Sequence, residues 1–188
     1  MRPFSVLVAG ALATIGSSAS GAVLVVGTTD AQACYQSAKA ERASSAGIEL
    51  CTLAIESNLL GRRDLAATKV NRGILRMYER SYDQALADYD AALTLKPDLG
   101  EAHVNRAIAM LRMDQRQAPT AVAALTKGLE LGTGEPEVAH YMRAVAYEIL
   151  GDAKNAYLDY KQAASIRPNW SDPQVALRRF SVVKGSPG

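Results

Sequence analysis

Small and apolar residues recur along this chain at spacings that belong to helices. Gly73 begins a series that continues 12, 16, 19 and 24 residues later, at Ala85, Tyr89, Ala92 and Pro97. Ala144 begins a second series with the same four offsets, at Ala156, Tyr160, Ala163 and Pro168. Residues four and seven apart share one face of a helix, and a proline ends a helix because it has no amide donor. The pattern therefore predicts antiparallel helix pairs that pack closely where side chains are small.

Two further copies of this pattern are weaker. Ala107 lies 34 residues after Gly73, and the helix predicted after it carries the offsets of four and seven at Ala121, Leu125 and Gly128. The turn between these helices is longer by two residues, around Gln117–Pro119. A degenerate copy comes first in the chain, with the second-helix offsets at Gly47, Cys51 and Ala54. The chain is thus predicted to hold four helix pairs in series.

A repeat of about 34 residues with this order of small, aromatic and proline positions resembles the tetratricopeptide repeat family. Tyr82, Tyr147 and Gly151 fit the family's secondary positions. The resemblance covers roughly residues 34–183 and is clearest over 66–98 and 137–169. It implies an all-α fold, a right-handed superhelical solenoid of antiparallel helix pairs. About three units would follow a degenerate first pair and precede a C-terminal capping helix; an unrelated helical bundle is the alternative.

The last apolar segment, Pro173–Val183, is predicted to be the capping helix, because stacked repeats expose an apolar end. Ser171 and Asp172 precede its proline, which is a typical helix start. The predicted organisation is a leader over 1–33, the first helix pair over 34–62, three units with the capping helix over 63–183, and a flexible tail over 184–188.

The leader differs in composition from the rest of the chain. Arg2 is followed by a stretch without charged residues that ends at Asp30. A positive start, an apolar core over Phe4–Ile15 and small residues at Ala31 and Ala33 are typical of a secretory signal cleaved after Ala33. We therefore expect a periplasmic or secreted bacterial protein that has no membrane-inserted segment after cleavage.

Other fates of the leader are open. Cleavage after Ala19 would leave Val23–Val26 as an exposed apolar tail. The uncharged stretch is long enough to be an uncleaved membrane anchor, although Gly16–Gly21 interrupts its apolar character. Lipidation of Cys34 fits less well, because the third residue before it is Ala31 rather than a larger apolar residue.

The two cysteines of the chain, Cys34 and Cys51, are 17 residues apart. Arg72 and Tyr89 have the same separation at the corresponding register of a later repeat, one on each helix of a pair. The cysteines are therefore predicted to form a disulfide across the first helix pair, which would persist in an oxidising compartment. Two free buried thiols are the alternative. The resemblance points to small exported repeat proteins of Gram-negative bacteria with such a pair.

Composition and motifs indicate a binding protein rather than an enzyme. The chain has 188 residues and a formal charge of +2, which suits one soluble domain and is too small a basic excess for nucleic-acid binding. It has no CxxC, HExxH or GxSxG motif, so we expect no catalysis and no cofactor. His103 and His140 share a register but lack the further ligands that zinc needs. They are interpreted as packing residues.

Charged residues recur in register as well. Arg72, Arg106 and Arg143 each directly precede the small residue of the first helix. They are predicted to pair with Asp88, Asp90 and Asp159 on the second helices, in preference to forming an anion-binding ladder. The carboxylates Glu130, Glu135 and Glu137 are predicted to lie in a solvated turn and helix start.

The resemblance implies a concave groove, lined by first helices, that takes an extended peptide or a partner's helix. By register, the groove residues would be Val70, Asn71, Ile74, Tyr78, Asn105, Ile108, Arg112, Tyr141, Met142 and Val145. Asn71 and Asn105 recur at one position although asparagine is a mediocre helix former. An amide both donates and accepts hydrogen bonds, so each asparagine would hold a peptide backbone or bond within the stack. No lysine accompanies them, which disfavours a carboxylate clamp.

The sequence therefore supports two functions. The first is an exported, non-enzymatic protein that binds a protein or peptide partner in an apolar groove, with the asparagines on the backbone and Tyr78, Tyr141 and Met142 in apolar contact. The second is a structural scaffold of an envelope assembly that associates with itself. The identity of the partner does not follow from the residues.

Overall fold

The computed structural model describes residues 21–184, with only the backbone for 182–184, and the backbone of 4–8. Nine helices lie within the described residues: α1 Thr29–Lys39, α2 Ser45–Glu56, α3 Arg62–Tyr78, α4 Tyr82–Leu95, α5 Gly100–Met113, α6 Ala118–Glu130, α7 Pro136–Ile149, α8 Ala153–Ile166 and α9 Ser171–Leu177. A 3-10 turn at Gln115–Gln117 lies in the predicted longer connection. Two strands, β1 Phe4–Val8 and β2 Phe180–Lys184, complete the description. The all-α solenoid is confirmed, with one strand pair added.

The helices form two layers. Within each unit consecutive helices pack as a pair, α1 with α2, α3 with α4, α5 with α6 and α7 with α8. The first helices also contact one another in series, α1 with α3, α3 with α5 and α5 with α7. These four helices make one continuous layer, and it carries the predicted groove residues of α3, α5 and α7.

Close approach within a pair depends on the small residues of the repeat. Gly73 lies against the ring of Tyr89, where an added Cβ would be 2.5 Å from Cε1. At the same register Ala144 is fully buried, as is Tyr160 opposite. Gly128 lies against Val104 in the middle unit, where a Cβ would be 2.5 Å from its Cγ2. The periodic pattern thus marks the sites where helix backbones come together.

The first helix pair carries the predicted disulfide. Cys34 of α1 is bonded to Cys51 of α2, with 4.8 Å between their Cα atoms, and both are fully buried. Helix α1 begins at Thr29, where the Thr28 hydroxyl caps it by accepting from the Ala31 N–H. The helix therefore begins before Cys34, inside the segment interpreted as the leader.

The C-terminal end differs from the prediction. The capping helix ends at Leu177, so Pro173–Val183 is not one continuous helix. Residues 180–184 form β2, which pairs antiparallel with β1 from Phe4↔Lys184 to Val8↔Phe180. Valines at 182 and 183 favour a strand because they are β-branched, and the ladder satisfies backbone groups that a lone strand would leave unpaired. This pairing depends on a partner that is distant in sequence.

Candidate peptide-binding groove

All ten predicted groove residues lie on α3, α5 and α7, and none of them is exposed. Eight are buried, at 5% exposure or less: Val70, Asn71, Ile74, Asn105, Ile108, Tyr141, Met142 and Val145. Tyr78 and Arg112 are half-buried. The predicted groove residues of the first helices are therefore covered by other parts of the protein. The contacts of Asn71 show which segment forms part of this cover.

Asn71 holds an extended piece of the chain itself. The Val23 N–H donates to Asn71 Oδ1 at 2.8 Å, and Asn71 Nδ2 donates to the Val23 carbonyl, also at 2.8 Å. Both hydrogen-bonding groups of one residue's backbone are thus bonded to one side-chain amide. This is the kind of contact by which an amide recognises an extended peptide without reading its side chains.

The residues on either side of Val23 are held in the same way. The Gly21 N–H donates to the Glu135 carboxylate, and the Val26 N–H donates to Asp64 Oδ1 at 3.4 Å. We call residues 21–27 the N-terminal arm. Three side chains from α3 and from the N-terminus of α7 therefore hold its main chain.

From Val23 to Val26 the side chains of the arm alternate between more buried and exposed, as in an extended strand. Val25 is 2% exposed and packs with Ala31, Ala54 and Ala67. Leu24 and Val26 are 62% and 77% exposed. One side of the arm thus contacts the protein, while the other faces away from the packed helices.

Glu135 lies at the end of the arm. Burial raises the pKa of its carboxyl above the ordinary value, while Arg167 and the Gly21 N–H oppose that change. A cleft of about 170 Å³ remains beside the arm, lined by residues that include Gly21, Ala22, Ile74 and Tyr78. The arm therefore leaves part of the groove unfilled at this point.

Both asparagines form side-chain hydrogen bonds. Asn105 Nδ2 donates at 3.0 Å to the Glu101 carbonyl of its own helix, and both amide atoms of Asn71 bond to Val23. Sequence reasoning paired them by register and did not include Asp64 and Glu135. Asp64 could have been identified, since it lies seven residues before Asn71 on the same helical face. Glu135 could not, because it lies in a connection and its role depends on where the arm docks.

The acidic cluster lies at the predicted turn and helix start, with Glu135 and Glu137 at the beginning of α7, but the solvated interpretation is wrong for these two residues. Glu130 is exposed. Glu135 is half-buried at the arm, and Glu137 is 7% exposed and forms an ion pair with Arg167. The packing of α7 against the C-terminal part of the chain encloses them.

Aromatic side chains enclose the groove residues of α7. Tyr141 lies 4.9 Å from the ring of Trp170 and 5.4 Å from that of Tyr160, between ring centroids. Burial raises the pKa of the Tyr141 hydroxyl to about 12. Glu148 accepts hydrogen bonds from the Tyr160 hydroxyl at 2.6 Å and from Arg179 at 2.8 Å. This end of the groove is packed against α8 and the segment after α9.

The predicted pairing of the in-register arginines with an aspartate of their own unit is confirmed for Arg72 and Arg143, whereas Arg106 pairs with Asp90 of α4 in the preceding unit. Nitrogen–oxygen distances are 2.7 Å for Arg72–Asp88, 2.6 Å for Arg106–Asp90 and 2.7 Å for Arg143–Asp159. Two of these arginines also reach the preceding unit, where Arg72 donates to the Thr52 hydroxyl and Arg143 to that of Thr126. The repeated arginines therefore connect helices within and between units.

The two histidines contact different partners. His103 Nε2 lies 2.8 Å from the Pro97 carbonyl, and His140 Nδ1 lies 2.8 Å from Asp159 Oδ1. Among the described residues, no three histidine, cysteine or acidic side chains are grouped as a metal site would require. The described helices also include none that is long and apolar enough to cross a membrane.

Solved structures similar to this chain are repeat domains. The TPR domain of Arabidopsis OM64 matches with a TM-score of 0.59 and 23% identity, over 63% of this chain and 96% of that domain. The first TPR of Spaghetti (RPAP3), bound to the HSP90 peptide SRMEEVD, matches at 0.56 and 22%, over 60% and 87%. MamA matches at 0.59 and 18%, over 70% and 72%. No curated protein matches the sequence.

The family model described as "Tetratricopeptide repeat" matches residues 138–169. This segment contains α8 and all but the first two residues of α7, with Ala144, Ala156, Tyr160, Ala163 and Pro168 at the repeat positions. The preceding pairs have the same order of helices and the same close contacts between them. The segment 138–169 thus matches a tetratricopeptide repeat, and the chain folds as a helical solenoid similar to solved tetratricopeptide repeat domains.

Proposed function

We propose that this protein binds an extended segment of a partner protein in the groove lined by α3, α5 and α7. The observation that carries the proposal is the pair of 2.8 Å hydrogen bonds between the Asn71 amide and the backbone of an extended segment. The similar first TPR of Spaghetti (RPAP3), solved with a bound peptide, supports a peptide-binding role for this fold.

The chemistry of the groove favours an uncharged aliphatic ligand. Its predicted lining is mostly apolar, with Val70, Ile74 and Ile108 on neighbouring helices. The position that follows the two asparagines by register is Met142, which cannot bond a carboxylate. An acidic peptide such as SRMEEVD would lose the hydration of its several charges there, with Arg112 as the one cation among the ten predicted lining residues. We therefore propose a different ligand class for this chain.

A crosslinking pull-down from the native cell envelope tests the proposal. The groove variant would carry Asn71→Ala and Tyr141→Ala, and the control Leu158→Ala, which changes a 45% exposed residue of α8. We expect a partner that is recovered with wild type and control and lost with the groove variant, provided that circular dichroism shows all three to be folded. An unchanged partner list would contradict the groove assignment. Recovery of only the protein itself would favour the self-associating scaffold.

Export remains part of the proposed function. The disulfide between Cys34 and Cys51 is compatible with an oxidising compartment, and the uncharged N-terminal stretch supports a signal. Cleavage after Ala33 would cut within α1 and leave the disulfide-bonded Cys34 as the first residue. The sequence disfavours cleavage after Ala19 because it would leave Val23–Val26 as an exposed apolar tail. That objection is weakened by the structure, in which Val25 is buried. Mass spectrometry of the protein from its native host would identify the N-terminus.

A further inference from the structure

We propose that the N-terminal arm, residues 21–27, is an intramolecular ligand that occupies the groove at Asn71 and that a partner segment must displace. The inference rests on the proposed function, because it takes the groove to be the binding site. It identifies the segment that occupies the groove in the free protein, and it describes the kind of partner segment that can replace the arm. The contacts of the arm are the evidence for both statements.

The hydrogen bonds described above between the arm and the helices all involve the main chain of the arm. The N–H groups of Gly21, Val23 and Val26 donate to carboxylate or amide oxygens, and the Val23 carbonyl accepts from Asn71. Bonds of this kind do not distinguish one side chain from another. A different extended segment could make all of them.

Selection by side chain comes mainly from Val25, while Ala22 and Val23 are half-buried against the packed helices. Val25 is the arm residue that is buried, and its pocket is formed by Ala31, Ala54 and Ala67 with Leu60 beside them. Walls of alanine leave room for a branched aliphatic side chain and offer nothing to a charged one. The competing ligand is therefore an extended segment with a valine-like residue two positions after the residue held by Asn71.

The arm has the properties of a displaceable occupant. The arm is connected to α1 through Thr28, and the chain before it leads from β1, which pairs with β2. Its effective concentration at the site is therefore on the order of millimolar or above. A free peptide must compete against that concentration. The arm nevertheless buries few side chains and leaves Leu24 and Val26 exposed, which is typical of segments that open locally without global unfolding.

Binding of a synthetic peptide to the full chain tests this inference. The probe is the arm sequence Gly-Ala-Val-Leu-Val-Val-Gly with two lysines and a fluorophore appended, followed by fluorescence anisotropy. Val25→Ser removes the buried side chain of the arm, whereas Leu24→Ser changes its exposed neighbour and is the matched control. A second peptide with serine at the fifth position tests the pocket itself.

We expect Val25→Ser to bind the probe at least tenfold more tightly than wild type, and Leu24→Ser to match wild type. The serine-containing peptide should bind the Val25→Ser chain at least tenfold more weakly than the probe. Equal affinity of all three chains for the probe would overturn the inference. So would failure of the Val25→Ser chain to bind the probe.

Hydrogen exchange provides a readout that does not depend on any ligand. The Val23 amide should exchange slowly in wild type and in Leu24→Ser, and at least tenfold faster in Val25→Ser, while the amides of α7 remain protected in all three. Fast exchange at Val23 in wild type would overturn the inference whatever the pull-down finds. If Val23 exchanges slowly but the groove variant recovers the same partners as wild type in the pull-down, the proposed function alone would be refuted.

The mature N-terminus decides whether the arm acts in the finished protein. A native chain that begins at or before Gly21 retains the arm and supports its role as a resident occupant. A native chain that begins at Cys34 lacks the arm, which would overturn that role in the mature protein.

Discussion

At the scale of single residues, Asp159 has one of the most constrained environments in the chain. Its carboxylate is 6% exposed and accepts hydrogen bonds from Arg143 and His140. Burial alone would raise the pKa of this group, but the bonds from Arg143 and His140 outweigh burial and hold the pKa below its ordinary value of 3.8. Arg106, at the same register as Arg143, forms a more exposed pair with Asp90 of α4 in the preceding unit, and this pair provides a comparison.

Asp159→Asn should lower the free energy of unfolding by about 3 kcal/mol, because it leaves the largely buried Arg143 without its counter-charge. Asp90→Asn should lower it by less than about 1 kcal/mol, because an exposed pair is screened by water. Urea denaturation measures both values. Equal losses in the two variants would show that burial does not determine the strength of these pairs.

The same carboxylate predicts a pH dependence. A group whose pKa is lower in the folded state stabilises the fold above its unfolded pKa, and this contribution is lost as pH falls through the folded value. The stability difference between wild type and Asp159→Asn should therefore shrink as the pH falls below about 4. A difference that grows below that pH would contradict the lowered pKa.

Gly73 makes a second prediction at this scale. Gly73→Ala improves helix propensity by about 1 kcal/mol, but the new Cβ would lie 2.5 Å from Tyr89 Cε1. Overpacking of a core costs about 1–3 kcal/mol, so we expect a net loss of stability in thermal or urea unfolding.

Gly134→Ala is the control for this prediction. Its Cβ would meet only Glu101 at 3.4 Å, and we expect the free energy of unfolding to change by no more than about 0.5 kcal/mol. A stabilised Gly73→Ala would mean that α3 and α4 can separate at little cost.

At the scale of elements, the turn within a unit is the same in two pairs although the residues differ. Arg80, between α3 and α4, has a φ of 60°, and Gly151, at the same register between α7 and α8, has a φ of 75°. A left-handed conformation suits glycine and costs other residues about 1 kcal/mol. Arg80→Gly should therefore raise the free energy of unfolding by about 1 kcal/mol, and Gly151→Ala should lower it by a similar amount. Calorimetry measures both, and a destabilised Arg80→Gly would indicate that the exposed arginine contributes more than its backbone strain.

At the scale of the whole molecule, the ends of the solenoid depend on specific connections. A terminal helix pair has one neighbour instead of two, and the disulfide compensates for this at the N-terminal end. Replacing both cysteines by alanine should cost about 3 kcal/mol in the chain-entropy model for a loop of this size. Because each repeat contacts only its neighbours, the loss of stability should be confined to the N-terminal end of the array. Hydrogen exchange should therefore increase in α1 and α2 and stay unchanged in α7 and α8; a uniform increase would show that the chain unfolds as one unit.

Local patterns predicted most of the fold and part of the site. The helix pairs, the longer turn before α6, the Cys34–Cys51 bridge and the arginine–aspartate pairs all follow from the register of one repeat. Asn71 was assigned to the groove for the same reason. The prediction of a continuous helix at Pro173–Val183 failed, because a strand partner distant in sequence changed the conformation of its last residues.

What the sequence by itself determined is the stacking of helices, because close packing needs small residues at a helical period and a period can be read from one chain. What only the tertiary structure decided is the cover of the groove. The arm carries no local signal for its docking site, and its bonds to Asn71 join residues 48 positions apart. Main-chain hydrogen bonds leave almost no trace in sequence, since every residue except proline can make them. The repeat pattern could therefore predict which helix faces line a groove, but not the segment that covers Asn71.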